Sequence, residues 1–168
     1  MVEDRQKTEK GFMKKVYFDA NVVVSYLLAG EKTQNERNAV LKLFQSTKRQ
    51  EIMICITPLC VDEVLHSLFK VLKVQNKDLQ YCRKESIRLL HQFLKLTLVS
   101  FESPNYEIED IQTIGKYMLT YSLRSRDAFH VVASKKLHCD SFFTFDTDFD
   151  ELFTNKVLIN ARETYTII

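Results

Sequence analysis

The chain has 168 residues and a formal net charge of +2, from 24 Lys and Arg against 22 Asp and Glu. Hydrophobic residues at 45% suffice for one domain with a sizeable core, while three Gly and two Pro argue against a turn-rich all-β fold and long linkers. No apolar run approaches the roughly 18 residues of a membrane span, and residues 1–15 lack the apolar stretch of a signal peptide.

Residues 1–14 read as a charged leader, and 15–168 as a single domain. Val16-Tyr17-Phe18 is a β-prone run that stops at Asp19, and Asn21 is expected to cap a helix through Leu27 that Gly30 ends. A second helix is predicted from about Thr33 to Arg49. The apolar run Ile52 to Ile56 has no alternation, as suits a strand covered on both faces. Thr57-Pro58 opens the next helix as N-cap and first-turn proline, and a further helix is predicted from about Asp78 to Lys95. Strand Leu96 to Phe101 follows, then helices from about Ile108 to Ser122 and Ser125 to Leu137. Phe142 to Phe145 is a fourth strand and Val157 to Ile159 a possible fifth.

Strands alternating with helices imply a mainly parallel sheet of four to five strands with helices on both faces, in an α/β/α sandwich. The working site of such a fold lies at the carboxyl ends of the strands, near the point where strand order reverses. Asp19 and Asp146 both follow predicted strands. The four cysteines (Cys55, Cys60, Cys82, Cys139) form no C-x-x-C pair and read as reduced thiols of a cytoplasmic protein, with Cys55 in the core. A basic stretch at Lys70, Lys73, Lys77, Arg83, Lys84 and Arg88 is either a solvated helix face or a phosphate-attracting flank.

Taken singly, each acid has a bland reading. Asp19 suits a turn or cap, Glu63 a helix edge, Asp127 the positive end of a helix, and Asp146, Asp148 and Asp150 a solvated loop. Jointly they lie beside the most apolar segments of the chain. Several carboxylates buried together are costly unless a cation compensates, and hard oxygen ligands suit Mg²⁺ or Mn²⁺.

Four stretches carry a resemblance. Val16-Tyr17-Phe18-Asp19-Ala20-Asn21, Thr57-Pro58-Leu59-Cys60-Val61-Asp62-Glu63, Arg126-Asp127-Ala128-Phe129-His130 and Thr144-Phe145-Asp146-Thr147-Asp148-Phe149 occur in this order over about residues 15–160. In this respect the chain resembles the PIN-domain ribonucleases, including the VapC-type toxins of toxin–antitoxin pairs. The resemblance implies an endoribonuclease in which Asp19, Glu63, Asp127 and Asp146 hold Mg²⁺ or Mn²⁺, with Asp148 as an outer ligand. It makes Thr144, on the substrate side, a hydroxyl that orients a carboxylate or water. Arg126 reads either as a contact to substrate phosphate or as an exposed helix-end residue. Lys14 and Lys15 carry a weaker form of the phosphate reading. A homodimer and a cognate antitoxin presenting Arg or Lys to the acids are implied in the same way.

Three rivals remain. Glu63-x-x-His66 and Asp127-x-x-His130 have the spacing of di-iron helical bundles, but Asp19 and Asp146 follow strands. Both imidazoles are then expected as satisfied or exposed residues near the site. A phosphatase of the Asp-x-Asp type wants a second carboxylate where Asn21 stands. A non-catalytic protein-binding module on the same fold is the main alternative.

Overall fold

The computed structural model describes residues 13–28, 34–50, 52–75 and 77–165, without the side chains of 46–50. Four strands, β1 (Lys14–Phe18), β2 (Ile52–Ile56), β3 (Val99–Phe101) and β4 (Ser141–Phe143), form one sheet in the order β3-β2-β1-β4, with every pairing parallel. Helices α1 (Ala20–Leu27), α2 (Gln34–Gln50), α3 (Pro58–Val74) and α4 (Leu79–Leu94) precede β3. Helices α5 (Ile108–Thr120) and α6 (Ser125–Lys136) link it to β4, and the short α7 (Asp150–Thr154) and α8 (Ala161–Thr164) follow. This is the three-layer α/β/α sandwich expected from the strand–helix alternation.

Residue alternation on β1 divides the core, because successive side chains point to opposite faces of the sheet. Val16 and Phe18 join Ile54, Ile56 and Phe143 against α1 to α4. Tyr17 joins Phe142, Val131, Ile114 and Phe149 on the side of α5 and α6. The two halves of the core are aromatic at the β1–β4 seam: Phe18 meets Phe143 edge to face at 5.4 Å, and Tyr17 stacks on Phe142 at 5.1 Å. Full burial of each such ring contributes about 1.5–3 kcal/mol.

The chain adds β2 and β3 on one side of β1 and β4 on the other, so strand order reverses at β1. The crevice beyond the carboxyl ends of β1 and β4 is the switch point. Four local expectations need correction. Asp19, not Asn21, caps α1: its Oδ1 accepts from Ala20 N–H at 2.7 Å. Val157 to Ile159 is not a strand. Beside it only Asn160 makes an isolated parallel bridge to Phe142, with Phe142 N–H bonded to Ile159 C=O at 2.8 Å. The pairing region of β4 stops at Phe143, because Thr144 and Phe145 leave the ladder to serve the site. Lys14, assigned to the leader, begins β1; residues 1–12, Gly30 and Thr33 lie outside the described residues. All four cysteines are free, Cys55 buried. No helix among the described residues is long and apolar enough to cross a membrane.

Candidate active site

Four elements deliver the acids to one place. Asp19 follows β1, and its N–H bonds Phe143 C=O at 3.0 Å, which carries the ladder one residue past the strand. Thr57 caps α3 by accepting from Cys60 N–H, and Pro58 occupies the first turn. The stripe Cys60, Val64, Leu68 and Leu72 buries one face of α3. Glu63, beside Val64, is thereby left at the border of the core. Asp127 lies in the first turn of α6 among the small residues of a helix whose Ala128 and Ala133 are fully buried. Asp146 leads into a single 3-10 turn over Thr147–Phe149, where its Oδ1 accepts from Asp148 N–H.

These acids line a cleft of about 560 Å³ together with Asn21, Ser25, His66, Arg124, Ser125 and Arg126. Asp19 is held on both oxygens. Oδ1 takes the Ala20 N–H, and Oδ2 accepts from Asn21 Nδ2 at 2.7 Å and from the Thr144 hydroxyl at 2.8 Å. Thr144 is buried and also accepts from Asn21 Nδ2 and from Asp146 N–H. Its hydroxyl is therefore spent on ordering the two carboxylates. Glu63 Oε2 lies 2.8 Å from His130 Nε2, and Oε1 lies 3.6 Å from Arg126 Nη1.

Charge divides the cleft in two. On one side stand Asp19 and Glu63 with His130, whose Nε2 is 3.8 Å from Asp19 Oδ1. On the other, the Arg124 guanidinium spans Asp127 at 2.8 Å, Asp146 at 3.0 Å and Asp148 at 3.2 Å. Burial pushes the Asp19 carboxyl above its ordinary range, despite the His130 ring, the Thr144 hydroxyl and the Ala20 N–H. Burial also acts upward on Glu63, but the His130 hydrogen bond and the nearby Arg126 and Arg124 outweigh it and hold that carboxyl low. The hydrogen bond to Asp127 holds Arg124 firmly protonated.

One ligand atom each from Asp19, Glu63 and His130 lie within 4.8 Å of one another, close enough to share a cation. The donor set is mostly carboxylate oxygen, and its buried member resists ionisation without a counter-charge. Both features fit a divalent metal.

Residues 16–153 match the family model of the PIN domain. This chain belongs to the PIN-domain family. The fold of this PIN domain is similar to that of PAE2754 from Pyrobaculum aerophilum in its crystal structure, with a TM-score of 0.55 at 12% identity. The match covers 99% of this chain and 96% of that one, and at such identity it concerns the fold alone. No curated protein is significantly similar in sequence. PIN domains are a nuclease superfamily that uses divalent metals, and this one has an acidic cluster that could hold such an ion.

The structure gathers Asp19, Glu63, Asp127, Asp146 and Arg126 in the cleft and sets Asp148 at its edge, paired with Arg124. The basic stretch of α3 and α4 does not line it. Arg83 faces a separate groove between those helices, and Arg88 pairs with Glu85. Lys15 bonds Glu102 at 2.8 Å from the opposite end of β1. Arg124 escaped the sequence reading, although its i, i+3 spacing to Asp127 was a signal.

Proposed function

We propose that this PIN domain is a metal-dependent ribonuclease that hydrolyses RNA phosphodiester bonds, with Asp19, Glu63, Asp127 and Asp146 holding Mg²⁺ or Mn²⁺. The carrying observation is the convergence of these four acids, from four separate elements, on a single cleft at the strand-order reversal. A divalent cation bound there supplies positive charge to phosphate oxygens and acidifies water. The chain's own groups do the rest. Asn21 and Thr144 orient Asp19, the 3-10 turn fixes Asp146, and Asp148 stands outside as a further acid. Arg124 and Arg126, both exposed at the mouth, offset the repulsion between the acids and an incoming phosphate. RNA as the substrate rests on the family. An antitoxin that offers an arginine would meet carboxylates that already accept one from Arg124.

The test is cleavage of a mixed RNA pool with Mg²⁺ or Mn²⁺ by wild type, Asp19→Asn and Asp127→Asn, with an EDTA control. The reading expects cleavage by wild type alone and its loss in EDTA, with circular dichroism unchanged in the variants. A folded, inhibitor-free wild type that cuts no RNA with either metal overturns it and leaves the protein-binding module as the better account.

A further inference from the structure

Behind the cleft lies a line of buried polar groups that no step so far uses. Tyr17 Oη is 2.9 Å from Thr57 Oγ1 and 2.8 Å from His130 Nδ1, and His130 Nε2 is 2.8 Å from Glu63 Oε2. Tyr17 is fully buried, and Thr57 and His130 are each 1% exposed, so bulk water offers none of them another partner.

Counting donors gives the line a direction. Thr57 Oγ1 already accepts from Cys60 N–H, so its own proton needs an acceptor, and Tyr17 Oη is the one in reach among the described residues. Tyr17 then gives its proton to His130 Nδ1. With Nδ1 an acceptor, the ring proton of neutral His130 stands on Nε2 and points at the Glu63 carboxylate. The opposite order, with Nδ1 protonated, strands the Thr57 proton, and in a neutral ring it also sets a bare Nε2 lone pair against a carboxylate oxygen. Each such buried fault leaves a polar group desolvated and unpaired, which is what the first order avoids.

We propose that Thr57, Tyr17 and His130 are positioning residues: a directed hydrogen-bond chain that fixes His130 as the Nε2–H tautomer, ties Glu63 Oε2 to the core and leaves Oε1 facing the cleft. His130 is then a donor to Glu63 and not a cation ligand, although its Nε2 lies within sharing distance of Asp19 and Glu63. The role assigned to Glu63 rests on the ribonuclease reading; the tautomer does not. Groups that orient a metal-holding carboxylate or imidazole typically change cation affinity or activity about 10- to 100-fold when lost.

Long-range ¹H–¹⁵N correlation spectra of the imidazoles, recorded on metal-free and Mg²⁺-saturated protein, test the chain directly. The proposal expects the His130 proton on Nε2 in both. A proton on Nδ1, or loss of the Nε2 proton when Mg²⁺ is added, overturns it, the second outcome making His130 a ligand. Tyr17→Phe, close to isosteric, supplies the functional arm by calorimetric titration with Mg²⁺. Its affinity is expected to fall about 10- to 100-fold, with cleavage restored by excess Mg²⁺. Unchanged affinity in a folded variant overturns the proposal. If wild type takes up no Mg²⁺ or Mn²⁺, the ribonuclease reading falls, and the metal-free spectrum still decides the chain.

Discussion

Replacing Arg124 by Ala removes the one guanidinium that spans Asp127, Asp146 and Asp148, at 2.8, 3.0 and 3.2 Å. If a cation is to use Asp127 and Asp146, this guanidinium must first let go, so its ion pairs subtract from cation affinity. The Arg124 side chain is 68% exposed, and water screens all three contacts. Each then contributes about 0.3–0.7 kcal/mol, and the three together about 1–2 kcal/mol. Removing them should tighten binding about 5- to 30-fold. Calorimetric titration of EDTA-treated protein with Mn²⁺ reads this directly, and the gain should shrink in high salt, where exposed pairs are screened. On the proposed ribonuclease reading the same substitution also removes a positive charge at the mouth of the cleft, so the Michaelis constant for RNA should rise as cation affinity improves. Equal or weaker Mn²⁺ binding by Arg124→Ala would refute the idea that the residue competes with the cation.

Thr144→Val keeps the volume of a buried side chain but strips a donor from Asp19 Oδ2 and an acceptor from Asn21 and Asp146 N–H. A loss of about 1–3 kcal/mol in urea unfolding is expected, together with weaker Mn²⁺ binding; a stability equal to wild type would show that these bonds are replaced. The pH dependence follows from Asp19. Its carboxyl is raised in the folded state, so its contribution to stability is present below the ordinary carboxylate range and lost as pH rises through the raised value. Glu63 has the opposite sign: its lowered carboxyl contributes stability above the ordinary range, lost as pH falls through the depressed value. A cation compensates ionised Asp19, so the increase in Tm produced by Mg²⁺ should widen from acid toward neutral pH. A Tm gain independent of pH would exclude Asp19 as a titrating partner of the cation.

The places where sequence and structure agree share a physical cause. Apolar runs that end in an acid, as at Phe18-Asp19, are visible because a strand covered on both faces needs no alternation and its end is marked by the first charge. Thr57-Pro58 announces α3 through cap chemistry alone. Asp19 and Asn21 are equally good caps by residue type, so composition alone does not choose between them. The choice between them depends on how far β1 pairs with β4, a contact 124 residues away in the Asn21 to Phe145 bond. Val157 to Ile159 has strand composition, but Ile159 is 58% exposed and the one bridge in this region is made by the next residue, Asn160. His130 read as either a satisfied or an exposed imidazole near the site, and at 1% exposure it is the first. Its partners Tyr17 and Glu63 come from a strand and a helix whose meeting only the tertiary fold determines. Whether basic residues face the cleft is likewise a question of helix rotation, which is why those of α3 and α4 read as either a solvated face or a flank, and none of them lines the cleft.

β4 meets β1 through only three residue pairs, Val16 with Ser141, Tyr17 with Phe142 and Phe18 with Phe143. Everything that Thr144 and Asp146 contribute hangs from this short seam, closed at its far end by Asp19 N–H on Phe143 C=O. A slip of one residue along it would carry both side chains about 3.3 Å and turn them to the opposite face. Because Phe142 and Phe143 are both fully buried in the core, this seam opens only when the core around it does, which ties the order of the cleft to the stability of the domain. Amide exchange at Asp19 and Phe143 would time that opening, and a ligand that bridges Asp19 and Asp146 would act as a clasp across it.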